Sequence, residues 1–322
     1  MLALTLFVCA IFLIAVQHAT RKKSFPGPIY VFSMPSCLLP LLLKISNERI
    51  RRILMKLCFT DSARFLDMTV PLAAQYYTST YGDIVEINLF NRKTLIVSNP
   101  DFADHILKRN GKNYTLRFGN KIGLEHLGMA TRGIIWNGDV QRWKYQRSNF
   151  FQKSLNSKTL DDAKQVSYDA FQYVLKHSEQ FEVQPNNLDV LDLLRSITFT
   201  VTCHLFLGLP IGSISMEKTK FYVDSIVQYF KAWEYFLLKP EELYEKKLLN
   251  HHLSSIDRSN QVVKEIILIA RQSDHNCLFI NALMTALEQG QISTDEMQQC
   301  VLEMLIAGKF FSFSTEQHNK DQ

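Results

Sequence analysis

The sequence predicts a mainly α-helical fold with a small β-sheet, carried behind an N-terminal membrane anchor. Three observations predict it. Residues 2–16 read LALTLFVCAIFLIAV, almost wholly apolar, and Arg21, Lys22 and Lys23 follow soon after. IVEINLF at 84–90 alternates, Asn91, Arg92 and Lys93 turn, and 94–98 alternates again, which is a hairpin. Beyond it apolar residues recur at helical spacing over most of the remaining chain.

Each element follows in order. No Lys or Arg precedes the first apolar run, and Gln17 and His18 stand where a cleavage site would need small residues, so the run reads as an uncleaved signal anchor. Extended to residue 20 it reaches roughly 29 Å at 1.5 Å per residue, against about 27 Å for an endoplasmic-reticulum bilayer. The basic triplet after it places the body of the chain in the cytosol. Pro26, Gly27 and Pro28 then form a semi-rigid hinge. The apolar stretch 34–45, broken by Pro35 and Pro40, is too short to span and is read as interfacial, with a place in the core as the alternative.

Asn99-Pro100-Asp101 starts a short helix that Gly111 ends. Helices are expected over 139–154, 158–178, 188–206, 217–236, 242–249, 256–272, 276–289 and 294–308. Ser293 with Glu296 makes a capping box for the last, and Gly290 stops the one before. The expected organisation is an anchor over 1–20, a hinge and interfacial segment over 21–47, a catalytic-type domain over 48–308, and a different tail over 309–322.

Composition narrows the function classes. The 322 residues are 47% hydrophobic and 21% charged, an ordered globular balance. A net charge of +5 suits a face that meets acidic partners or anionic lipid. It is too weak to argue for nucleic acid, and no basic stripe is interleaved with aromatics. The six cysteines (Cys9, Cys37, Cys58, Cys203, Cys277 and Cys300) show neither CxxC nor zinc spacing. They read as reduced, buried thiols.

WKYQR at 143–147 puts Trp143 and Arg147 on one helix face. An indole N–H and a guanidinium there can grip an anion such as a carboxylate; a core Trp with an Arg on its rim is the alternative. Arg117-Phe118-Gly119 sets another cation beside an aromatic and a flexible turn.

LRFGNKIGLEHLGMATRGIIWNGDVQRWKYQRSNFFQKSL at 116–155 resembles the cytochrome P450 family, and within it the steroid-converting aromatases. YFKAWEYFLLKPEELY at 229–244 is similar to their F helix and following loop, and ISTDEMQQCVLEMLIAG at 292–308 to the start of their I helix. The resemblance, which runs with gaps over about 25–308, implies an incomplete P450 fold. It implies that Arg117, Trp143 and Arg147 hold haem propionates and that Ile135, Trp136, Phe230 and Trp233 line a steroid pocket. Trp136 stands where aromatases usually carry Phe. Glu303, Ile306 and Ala307 would face the distal side of the haem. It also implies NADPH-cytochrome P450 reductase as electron donor; Arg132, Arg142, Lys144 and Lys153 are the candidates for the basic face it docks on, with a solvated helix face as the alternative for each.

The resemblance breaks after Gly308. Phe310 and Phe311 stand where the family carries an acidic residue and a threonine that relay protons, and no ExxR helix follows. Glu48-Arg49-Ile50-Arg51 matches ExxR but lies far too early. The cysteine loop FxxGxRxCxG is absent, and P450 chemistry needs that thiolate on iron. Gly308-Lys309-Phe310 can be encoded by a stretch containing a splice-donor consensus, so the tail reads as translation past an exon end, with an assembly or cloning error at the same site as the alternative. The expectation is an aromatase-type sequence that is inactive as it stands, with the apolar faces of 188–206 and 294–308 left uncovered. The alternatives are a non-catalytic, membrane-anchored helical protein and another steroid-metabolising P450. Because the body is expected in the cytosol, the sequon Asn113-Tyr114-Thr115 should carry no glycan. An unchanged gel mobility on deglycosylation agrees, and a shift mapped to Asn113 reverses the orientation.

Overall fold

The computed structural model describes residues 24–28, 45, 47, 49–50, 68, 70–89, 92–109, 113–114, 121–184, 187–238, 244–273 and 277–307. The anchor at 1–20, most of the interfacial segment, Arg117, Cys9, Cys37, Cys58 and the tail at 309–322 lie outside them. The chain divides into two compact units, 1–115 and 116–322.

In the first unit, α1 (Val70–Tyr81) packs on a hairpin of β1 (Ile84–Leu89) and β2 (Arg92–Val97). The strands pair antiparallel, from Ile84 opposite Val97 to Leu89 opposite Arg92. Ala73 and Tyr77 of α1 bury against Val85 and Ile87. Gly82, at φ +103°, takes the left-handed turn between α1 and β1. The proline hinge is seated on this sheet, where the Pro26 carbonyl accepts the Glu86 N–H at 2.8 Å. The short helix α2 (Pro100–Asp104) is capped by Asn99, whose side chain accepts from the N–H of Asp101 at 2.9 Å. It continues as a π-turn over His105–Arg109. Asn113 and Tyr114 are exposed.

The second unit is helical. It comprises α3 (Lys121–His126), α4 (Val140–Gln146) with a π-helical extension Arg147–Gln152, α5 (Ser157–Leu175) and α6 (Val190–Leu207). After these come α7 (Met216–Leu238), α8 (Lys246–Arg271), α9 (Leu278–Glu288) and α10 (Thr294–Ala307). Side-chain caps set several starts: Asp139 for α4, Asn156 for α5 and Asp189 for α6. Gly208, at φ +68°, closes α6.

Three elements differ from the sequence expectation. Where two helices were expected, over 242–249 and 256–272, a single helix α8 runs from Lys246 to Arg271 without a break between 249 and 256. Its polar middle stays helical because hydroxyls fold back on the preceding turn, Ser255 Oγ to the His251 carbonyl and Ser259 Oγ to the Ser255 carbonyl, both at 3.0 Å. Glu182–Gln184 and Asn187–Leu188 pair as a second small hairpin, β3 and β4. Helix α3 is also new, and Gly123 lets it approach α7, since a Cβ there would fall on the Phe236 carbonyl.

The expectation that the 294–308 face lies uncovered is corrected. From Glu296 to Ile306 every side chain of α10 except the half-buried Gln298 is buried, because α6, α8 and α9 all pack against it. The exposed apolar groups sit on α6 instead, at Val190 and Leu194. Helix α6 is long and apolar enough to cross a bilayer by length and composition. It lies within the core, against α5, α7, α9 and α10, and buries Arg195 on Asp192 at 2.9 Å.

One core joins α3, α6, α7, α8, α9 and α10. Phe279 of α9 is at its centre, 0% exposed, with Phe151 and Phe206 rings at 5.3 and 6.3 Å. Replacing Phe279 with Ala should cost about 3–5 kcal/mol, read as a drop in the denaturant midpoint of the detergent-held chain. A loss below about 1 kcal/mol would show that this core is not packed as described.

Candidate active site

The site residues gather where the 128–139 segment meets α4, α7 and α10. This segment is neither helix nor strand, and two local bonds brace it. Gly138 N–H donates to the Ala130 carbonyl at 2.9 Å, and Asn137 Nδ2 to the Gly133 carbonyl at 3.0 Å. Tyr229 of α7 ties in its start, its hydroxyl donating to the Leu127 carbonyl at 2.9 Å. Burial pushes that hydroxyl above its ordinary range, while the Trp233 indole and Gln299 pull the other way.

Helix α10 supplies carboxyl groups to this segment. Its start is the expected capping box: Ser293 N–H donates to Glu296 Oε2 at 2.8 Å and Glu296 N–H to Ser293 Oγ at 3.2 Å. The same Glu296 also holds α4. Its Oε1 accepts from Arg142 Nε at 2.8 Å and from Gln146 Nε2 at 3.0 Å. Burial works to raise the Glu296 carboxyl, but the Arg142 guanidinium and Ser293 outweigh it and leave it below the usual range. Asp295 pairs with Arg132 at 2.9 Å.

Glu303 lies two turns further along, 1% exposed. Its Oε2 accepts the Ile134 N–H at 2.6 Å and its Oε1 the Gln299 Nε2 at 3.0 Å. Burial dominates and lifts the carboxyl to about 7, against the pull of the Ile134 N–H, Gln299 and the Ile135 N–H. Ile306 is buried beside it, and Ala307 is exposed at the helix end.

The remaining candidates form two groups. Trp136 meets Trp233 edge-on at 4.9 Å, and Phe230 lies 4.6 Å from Trp233. Ile135, Trp136 and Phe230 are half-buried at the border of the core. These residues make an apolar, aromatic wall that suits a flat hydrophobic molecule. On α4, Trp143 donates its Nε1 to the Ile134 carbonyl at 2.9 Å, and Arg147 lies over the Trp143 ring at 5.4 Å. The structure thus joins Glu303 and Trp143 through one residue, Ile134, which sequence reasoning had not singled out. Gly133, Gln299 and the Arg142–Glu296 link were also missed. The RGII run at 132–135 was the one available signal.

Of the cations expected on a basic docking face, Arg132 and Arg142 are paired with carboxylates of α10. Lys144 and Lys153 are exposed, the latter donating to Asn149 at 3.0 Å.

The described cysteines do not fit an axial haem ligand. Cys203, Cys277 and Cys300 are buried and free of disulfides. Cys277 Sγ donates to the Leu205 carbonyl at 2.9 Å. Burial pushes its thiol up, and that of Cys300 well up, whereas ligation requires the thiolate. No cluster of three metal-ligating side chains occurs among the described residues.

Glu303 fixes a pH dependence. Its carboxyl titrates at about 7 in the fold against 4.5 normally. Between those values the folded chain holds a proton that the unfolded chain has lost, so this group makes stability fall as pH rises from about 4.5 to about 7. Glu303→Gln should flatten that part of the stability curve, measured as denaturant midpoint against pH, and an unchanged slope would refute the burial effect.

Comparison with known proteins bears on this arrangement. Residues 54–310 match the family model for cytochrome P450. Aromatase 2 of Sus scrofa is 34% identical over 255 residues, 76% of this chain and 48% of that protein. Aromatase 1 of Sus scrofa is 30% identical over 307 residues, 92% and 54% of the two chains, and the aromatase of Gallus gallus is 29% identical over 310 residues, 94% and 55%. The chain spans about half the length of these curated relatives. A solved zebrafish cytochrome P450, in a structure with progesterone, shares the fold with a TM-score of 0.56 at 19% identity, covering 74% of this chain and 56% of its own. With the family model matching most of its length, the chain belongs to the cytochrome P450 family.

Proposed function

We propose that these residues form the substrate-holding part of an aromatase-type haem-thiolate monooxygenase, which converts androgens to oestrogens. The observation that carries this reading is the aromatic wall of Trp136, Phe230 and Trp233 beside the buried Glu303 of α10. A steroid is flat, apolar and large enough to bury its faces on such rings. The aromatase relatives support the choice of steroid.

In the family, haem ligated by thiolate supplies oxygen activation. The cysteines described in this chain are buried thiols, so the part assigned to these residues is binding and orientation. Ile135 and Trp136 would face the steroid from the 128–139 segment, and Phe230, Trp233 and Ile306 from the helices. Trp143, Arg147 and Arg117 remain the residues proposed for the haem propionates. To serve there, Trp143 would turn its N–H from the Ile134 carbonyl to the carboxylate. We place the protein at the endoplasmic-reticulum membrane with its body in the cytosol, supported by the apolar run at 2–16 and the basic residues after it. NADPH-cytochrome P450 reductase would be the redox partner, with Lys144 and Lys153 as the exposed cations left to meet it. The burial of the described thiols favours a second reading, a membrane-anchored helical protein that binds without catalysis.

One experiment separates the two roles. The 322-residue chain, reduced in the presence of haem and carbon monoxide, should give no 450 nm band and make no oestrogen when supplied with reductase. Titration with androgen should quench tryptophan emission, and Trp136→Ala should reduce the quench and weaken the binding it reports. A 450 nm band would show that a cysteine of this chain ligates iron, and an androgen titration without change would remove the steroid pocket.

A further inference from the structure

The Ile134 peptide is held at both ends. Glu303 Oε2 takes its N–H at 2.6 Å, and Trp143 Nε1 donates to its carbonyl at 2.9 Å. One helix therefore grips the peptide from each side: α10 through a carboxylate, α4 through an indole. The next residues along the chain are Ile135 and Trp136, the pocket wall.

The grip depends on a missing side chain. Gly133 has φ +73°, and a Cβ built on it would fall on the Glu303 carboxylate, nearest to Oε1. Only glycine lets the carboxylate reach the neighbouring N–H. Both carboxylate oxygens are engaged by donors of the chain itself, Ile134 N–H and Gln299 Nε2. Glu303 is thus occupied in holding the wall and is not offered to a molecule lying against it.

We propose that Glu303 is a positioning residue that acts through the Ile134 peptide, and that Gly133 is the residue that admits it there, the two together setting where Ile135 and Trp136 stand. This rests on the reading of those residues as a pocket wall. Its test contains no steroid, so failure of the pocket and failure of the grip are observed separately.

The 322-residue chain in detergent is compared with Gly133→Ala, Glu303→Gln, the double variant and Gly128→Ala. Gly128 is the control: it has the same φ, +73°, but a Cβ there meets its nearest atom, Gln299 Oε1, at 3.4 Å. It carries the backbone strain of a left-handed alanine without displacing Glu303. Amide hydrogen exchange reads protection at Ile134. Exchange at the buried residues Val262, Val263, Ile266 and Ile267 of α8 reports whether each variant is folded. Near-ultraviolet circular dichroism reads the edge contact of Trp136 with Trp233.

Glu303→Gln leaves one acceptor oxygen for two donors, so Ile134 protection should fall about tenfold, the scale of a lost buried hydrogen bond. Gly133→Ala should do the same and change the tryptophan dichroism, while Gly128→Ala changes neither. The double variant should lose no more than either single one, since both remove the same contact. Equal losses in Gly128→Ala and Gly133→Ala, or losses that multiply in the double variant, would overturn the proposal. If Gly133→Ala also lowers protection in α8, Glu303→Gln decides, and unchanged protection at Ile134 then overturns it.

Discussion

The second unit is organised by one constraint: α10 is buried for most of its length, yet it carries Glu296 and Glu303 into the interior. A carboxyl taken out of water must be paired, hydrogen-bonded or neutralised. Helix α10 satisfies them only in part, through Gln299 on Glu303 and the Ser293 N–H on Glu296, because its interior backbone donors are spent within the helix. The partners come from the 128–146 segment: Arg142 and Gln146 for Glu296, the Ile134 N–H for Glu303, and Arg132 for the outer Asp295. Removing one partner of such a buried pair costs more than the pair contributes, because it strands the other charge. The segment therefore has one low-energy place to lie.

That placement makes the wall. A stretch without helix or strand has few main-chain bonds to hold its shape, and a pocket built from it would otherwise be soft. Here the Ile134 peptide is fixed at both ends, Asn137 closes on Gly133, and Tyr229 secures Leu127. Trp136 can then rest edge-on against Trp233. The two carboxyl groups end in opposite electrostatic states for a plain reason. Glu296 has a guanidinium beside it and stays low, whereas Glu303 has only neutral donors and is carried up by burial. Equal chemistry on one helix thus yields a fixed charge at one end and a group that titrates near neutrality at the other.

Much of the fold was legible in local patterns. Alternation at 84–90 marked the first hairpin, and Ser293 with Glu296 marked the start of α10, because strand pleat and helix cap are set by neighbours in sequence. The gap expected between 249 and 256 was wrong for a related reason. Serines and histidines weaken the helical pattern, but Ser255 and Ser259 satisfy their hydroxyls on the preceding turn and the helix runs on. Chain sections that resemble the aromatases named Trp136, Trp233, Trp143 and Glu303 as site residues. They did not say what these side chains touch.

By itself the sequence determined the mainly helical class, the positions of most helices, the apolar and basic pattern of the first residues, and the lack of a haem-thiolate loop within 322 residues. These are properties of composition, periodicity and short-range spacing. Tertiary structure alone decided that α10 is covered and α6 is a core helix, and that Arg132 and Arg142 are turned inward to α10. It also decided that Gly133 makes room for Glu303. The contacts of Arg132, Gly133, Ile134 and Arg142 with α10 join residues about 150 or more positions apart. Neither partner's neighbours in sequence carry any mark of the other, since the energy of a buried charge depends on what the fold brings against it.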